Sequence, residues 1–132
     1  MVIFDSSILI DDLRTGRYRQ RIEELDELVR TSSVVLAELW RGSTTRAEAQ
    51  FLRNLENNHP IFTPTERNWL ESGQILRKIQ LDHGFPAAKL RDLHFDVLIA
   101  LTARIQGARL ITSNRADFEL IREYRDFKLE VW

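Results

Sequence analysis

The stretch that decides the fold is residues 1–10, MVIFDSSILI. Val2, Ile3 and Phe4 make a short apolar run with a β-branched pair, which suits a fully buried strand. Asp5 ends that run. Ser6 and Ser7 follow, and either hydroxyl can cap a helix that carries the second apolar run, Ile8, Leu9 and Ile10. Asp5 is thereby expected at the carboxyl end of a buried strand, where open α/β sheets bind their ligands. A buried carboxylate without a partner is costly, so the remaining sequence should supply one.

Composition narrows what that partner can be. The chain has 132 residues, a length expected to form a single domain over 1–132. Hydrophobic residues at 43% and charged residues at 30% describe a folded chain rather than a disordered one. Cysteine is absent, which excludes disulfides and thiolate metal sites and fits a cytoplasmic setting. No apolar run approaches the roughly 20 residues that span a bilayer. Asp5 interrupts the first apolar run and no basic region precedes it, so no signal peptide is expected. A formal net charge of −1 gives no bulk attraction to nucleic acid, so any such binding must come from local patches.

Outward from the opening unit, residues 17–30 read as a helix, with Ile22, Leu25, Leu28 and Val29 at helical spacing. Arg14, Arg17, Arg19 and Arg21 cluster at its start around Tyr18. Such a run is first a solvated face. The sharper alternative makes Arg14 and Arg17 phosphate contacts and Tyr18 a stacking ring for RNA. Residues 31–35 suit a short strand, and 35–42, VLAELWRG, place one acid, Glu38, in an apolar setting closed by Gly42. A helix over 45–57, a short strand at 60–63 and a long helix from Thr65–Glu66 to about Gly84 follow. In the long helix Trp69, Gly73, Leu76, Ile79 and Gln80 share a stripe, which makes Trp69 a core or interface residue. Residues 85–92 read as a loop. The next segment, 95–107, is apolar on nearly all sides, so it is a buried helix with Asp96 near its start; Asp92 is assigned to the helix N-terminus. Residues 109–112 read as a buried strand, the segment from Phe118 as a last amphipathic helix, and 128–132 as an edge strand. The alternation predicts an α/β fold with a mostly parallel central sheet of about five strands and helices on both faces.

Four polar positions interrupt apolar surroundings: Asp5, Glu38, Asp96, and the pair Asn114 and Asp117. Each alone has a structural explanation, as a cap, an ion pair with Arg41, a dipole partner or a first-turn acid. Together, acids converging on one sheet edge repel one another and call for a cation. Hard ions such as Mg²⁺ or Mn²⁺ take such oxygen ligands, and the chemistry that follows is phosphodiester hydrolysis. His59, His83 and His94 show no ligand spacing, so zinc is not expected.

The chain resembles PIN-domain ribonucleases, and among them the VapC toxins of prokaryotic toxin–antitoxin pairs. The resemblance rests on IFDSSILID at 3–11, VVLAELWRG at 34–42, FDVLIALTARIQGARLITSN at 95–114 and ADF at 116–118. It implies a PIN-like three-layer α/β/α fold and a Mg²⁺- or Mn²⁺-dependent endoribonuclease. It further implies that Asp5 and Asp96 are the main metal ligands and that Glu38 is a ligand or a positioner of the nucleophile. Ser6 matches a hydroxyl beside the first acid, and Thr112 a threonine that supports the site. The family often has Asp where this chain has Asn114, so the fourth catalytic acid is Asp117 or is absent. The implied partners are a cognate VapB-like antitoxin whose C-terminal segment enters the active-site groove, an RNA substrate, and a second copy of the chain in a homodimer formed through 45–57 and 65–83. Two other readings stand beside it: a PIN nuclease of RNA processing outside a toxin pair, and a PIN-fold binding module without catalysis.

Overall fold

A strand at Val2–Phe4 (β1) lies at the middle of a five-stranded sheet in the computed structural model, which describes all residues from 1 to 132. The other strands are Val29–Ser32 (β2), Ile61–Phe62 (β3), Arg109–Thr112 (β4) and Leu129–Val131 (β5). Their order is β3-β2-β1-β4-β5, and every pair is parallel. All three residues of β1 are buried, because a central strand between two helical layers meets no water on either face. The chain first winds from β1 outward to β3 and then returns to β4 on the other side of β1. The point where the winding reverses lies between β1 and β4, and ligands bind outside the carboxyl ends of strands there.

Seven helices cover the sheet: Ser6–Thr15 (α1), Arg19–Glu23 (α2), Ser33–Gly42 (α3), Arg46–Asn58 (α4), Glu66–His83 (α5), Ala87–Ile105 (α6) and Arg115–Tyr124 (α7). The strands and the helical faces bury one continuous apolar cluster of 26 residues. The helix α6 is its axis, with Val97 through Ala103 all buried, which accounts for the unbroken apolar run in that segment. No helix is long and apolar enough to cross a membrane.

Several elements differ from expectation for identifiable reasons. Neither Ser6 nor Ser7 caps α1; Asp5 stands at the N-cap and makes no side-chain cap bond. The helix expected over 17–30 is only α2. Four acids crowd its end and the segment that follows, Glu23, Glu24, Asp26 and Glu27, and acids oppose the negative end of a helix dipole. The chain then joins the sheet, where Val2 N–H donates to Leu28 O at 2.9 Å. The strand expected over 31–35 ends at Ser32, whose hydroxyl accepts from the N–H of Val34 at 3.2 Å and of Val35 at 3.4 Å. That cap starts a helix through a β-branched pair. In α5 a capping box between Thr65 and Asn68 fixes the phase. Asn68, Ser72, Ile75 and Ile79 face inward, so Trp69 is half exposed and not in the core. Gly84 closes that helix at φ 64°, a conformation that favours glycine. Finally, of the loop expected over 85–92, residues 87–92 are helical. Pro86 precedes α6, and Ala87, Ala88, Lys89 and Leu90 are good helix formers.

Candidate metal centre

The parallel register of β1 and β4 pairs Phe4 with Ile111, so Asp5 and Thr112 leave the sheet side by side. Asp5 is buried at 3% exposure. One of its oxygens is fully engaged: Oδ2 accepts from Thr112 Oγ1 at 2.8 Å and from Ser7 Oγ at 2.8 Å. Oδ1 has only Ser6 Oγ at 3.5 Å, beyond the range of a good O–H···O bond. The carboxylate is therefore clamped through one oxygen and presents the other. Thr112 and Ser7 are themselves held, since Asn114 N–H donates to Thr112 Oγ1 at 2.9 Å and Ser113 N–H donates to Ser7 Oγ at 3.2 Å. Ser7, not Ser6, is the hydroxyl that grips Asp5. Sequence reasoning named Ser6, which reaches Asp5 Oδ1 at 3.5 Å; the closer grip of its neighbour Ser7 is set by the helical turn.

Glu38 rides on α3 and Asp96 on α6, and both feel the charge of Asp5. Burial, followed by the charges of Asp5, Glu38 and Asp117, pushes the Asp96 carboxyl up to about 9, while Lys89 pulls the other way. Burial and then Asp5 push Glu38 up to about 7, Arg41 opposes this, and Asp92 adds to it. Glu38 makes no ion pair with Arg41; the guanidinium lies 5.4 Å from the centre of the Phe95 ring. Its Oε1 is buried with no hydrogen-bond partner. Asp92 is the sixth residue of α6 rather than its N-terminus, exposed and one turn from Asp96.

Asp117 stands apart from this trio. It lies in the first turn of α7, where Lys89 Nζ sits 2.6 Å from Oδ1 and Asn114 Nδ2 donates to Oδ2 at 3.1 Å. Asn114 also caps the helix, its side chain accepting from Asp117 N–H at 3.4 Å. The neutral residue thus orients the acid. Lys89 was missed in the sequence because it fell in the supposed loop.

The arginine-rich segment is dispersed. Tyr18 is buried at 3% exposure, with its ring centre 5.7 Å from that of Trp132, and offers no face to a base. Arg17 lies over that same ring and is exposed. Arg14 alone of the candidates approaches the acids, sharing with Glu38 an apolar groove lined by Ile10, Leu13, Phe51 and Leu52.

The donor set suits a hard cation. It is all oxygen, one carboxylate is clamped with a free oxygen, and Glu38 carries a buried oxygen without a partner. Burial and then the charge of Asp5 raise the carboxyls of Asp96 and Glu38, and a divalent cation would offset both effects. No three His, Asp or Glu side chains stand close enough together to hold a metal ion as they are placed.

A family model for the PIN domain matches residues 2–124. The chain belongs to the PIN domain family. This PIN domain also shares its fold with solved toxin–antitoxin structures. VapBC2 from Rickettsia felis, bound to a DNA fragment from its promoter, superposes with a TM-score of 0.71 at 24% identity, over 100% of this chain and 99% of that one. VapBC-1 from nontypeable Haemophilus influenzae gives a TM-score of 0.72 at 23% identity, over 100% and 98%. DNA-bound VapBC from Salmonella typhimurium gives 0.70 at 23%, over 100% and 99%. Comparison with curated proteins finds no match.

Proposed function

We propose that this PIN domain is a Mg²⁺- or Mn²⁺-dependent endoribonuclease and the toxin of a VapBC-like pair. The observation that carries this reading is the trio Asp5, Glu38 and Asp96 at the switch point of the sheet, with the carboxyls of Glu38 and Asp96 raised and one Asp5 oxygen nearly free. Asp5 and Asp96 would hold the ion, and Glu38 would reach it directly or through water. The bound ion supplies positive charge at the scissile phosphate and acidifies the attacking water. Thr112 and Ser7 fix the direction of Asp5. In the metal-free protein burial and then Asp5 raise Glu38 to about 7, so it exchanges its proton near neutral pH. Asp117 and Asn114 border the site from α7.

The partner reading rests on the groove beside Glu38. Its apolar lining suits a hydrophobic anchor of an antitoxin segment, and the acids beyond it suit a basic side chain on the same segment. A homodimer is supported by α5, which exposes Leu70 and Leu81 at 65% and 68% on one face, with Trp69 beside Leu70.

The test is cleavage of structured RNA by the wild type and by Asp96→Asn, each with Mg²⁺ and with EDTA. Cleavage only by the wild type in Mg²⁺ is expected; cleavage that persists in the variant or in chelator rejects the mechanism. Growth arrest on expression alone, relieved by a co-expressed antitoxin, separates a toxin from an RNA-processing nuclease.

A further inference from the structure

Lys89 is a cation already in place among the acids. Its ammonium contacts Asp117 Oδ1 at 2.6 Å, and the other Asp117 oxygen is taken by Asn114 Nδ2 at 3.1 Å. Both oxygens of the fourth acid are therefore engaged by the chain itself. The pair is half-sheltered, with side-chain exposures of 37% for Lys89 and 18% for Asp117. Lys89 precedes Asp96 by seven residues on α6, two turns along the same face, so the helix that carries the central acid also carries this ammonium. A divalent ion on Asp117 would have to displace a bonded ammonium and overcome its charge. Asp5 and Glu38 face no such competitor: Asp5 has a nearly free oxygen and Glu38 an unpartnered one.

We propose that Lys89 serves as the built-in second cation of the site: it holds Asp117 out of metal coordination, leaves a single divalent ion to Asp5, Asp96 and Glu38, and turns its exposed edge to an RNA phosphate. This rests on the metal-dependent nuclease reading above. In that division of labour Asp117 is a positioning residue for Lys89, and Asn114 is suited to the task because a neutral amide can grip Asp117 without attracting a second ion. The one partly exposed ammonium in the cluster is the natural contact for a backbone phosphate, as a point charge.

Metal binding tests the first half independently of activity. Mn²⁺ titrated into the full chain, read by calorimetry and by the electron spin resonance of free Mn²⁺, should bind with a stoichiometry of one. Asp117→Asn should leave that affinity within about twofold, whereas Asp96→Asn should weaken it by at least about tenfold. Equal losses in the two variants, or a second ion lost with Asp117→Asn, would overturn the proposal while leaving the nuclease reading intact. A wild type that binds no Mn²⁺ would remove both. The second half is read from RNA binding in an Asp96→Asn background. Adding Lys89→Gln should weaken binding and lower the slope of log affinity against log salt by about one, and Lys89→Arg should restore the slope. An unchanged slope would remove the phosphate contact.

Discussion

Replacing Asp96 with asparagine should stabilise the metal-free protein at alkaline pH, the opposite of what removing a native side chain ordinarily does. The Asp96 carboxyl is raised from 3.8 to about 9 by burial and by the acids around it. Below the lower value both the folded and unfolded chains hold the proton and the group has no effect on stability. Above it the unfolded chain releases the proton while the folded chain keeps it, so stability falls as pH rises. Each pH unit in that window costs about 1.4 kcal/mol for one group. Between pH 5 and pH 8 the loss from Asp96 is therefore about 4 kcal/mol at most, and rotation of the carboxyl toward water reduces it to roughly 2 kcal/mol. Glu38 acts with the same sign up to about 7. Asparagine has nearly the same shape and no such titration. Urea unfolding in EDTA, followed by the fluorescence of Trp40, Trp69 and Trp132, reads this directly. The variant should match the wild type within about 1 kcal/mol at pH 5 and exceed it by about 2 kcal/mol at pH 8. Mg²⁺ should narrow the gap, because an ion at a hundred times the wild-type dissociation constant adds about 2.7 kcal/mol to the wild type and about 1.4 kcal/mol to a variant that binds it tenfold more weakly. A wild-type stability that is flat between pH 5 and 8, or a variant that is weaker at both, would refute the reasoning.

Other outcomes follow from the same geometry. Ser7→Ala should destabilise the protein by about 1 kcal/mol and lower nuclease activity, while Ser6→Ala should do little, as paired denaturation and cleavage assays will show. Thr112→Val removes a donor to Asp5 Oδ2 at nearly constant volume and should lower Mn²⁺ affinity about tenfold in calorimetry, with the fold kept by circular dichroism. Tyr18→Ala should cost about 3 kcal/mol in urea unfolding as a core truncation, whereas Arg14→Ala should leave stability unchanged and weaken binding of RNA or antitoxin in fluorescence anisotropy.

The parallel α/β architecture was legible because its signals are local and repeated: short β-branched runs, amphipathic helices between them, and one helix apolar on all sides. The acids at 5, 38 and 96 were legible because each breaks an apolar pattern. The boundaries that failed were those set by a single cap. Ser32 turned a β-branched pair into a helix, and Asn68, drawn inward by the Thr65 box, rotated α5 and left Trp69 half exposed. The late start assigned to α6 hid Lys89, although Pro86 followed by two alanines is a helix-opening signal. What no pattern carries is the pairing across the site. Lys89 as partner to Asp117, and the Ser113 N–H that holds Ser7, lie 28 and 106 positions from those partners and meet them only at the sheet edge.

In the proposed function Asp5, Glu38 and Asp96 form one divalent-cation site. Anomalous diffraction from crystals grown with Mn²⁺ examines that claim most directly. The expected result is one strong peak at the carboxyl ends of β1 and β4, about 2.1 Å from an oxygen of Asp5 and of Asp96, with Lys89 still on Asp117. Crystals that hold Mn²⁺ elsewhere, or on Asp117 without Asp5, would contradict it.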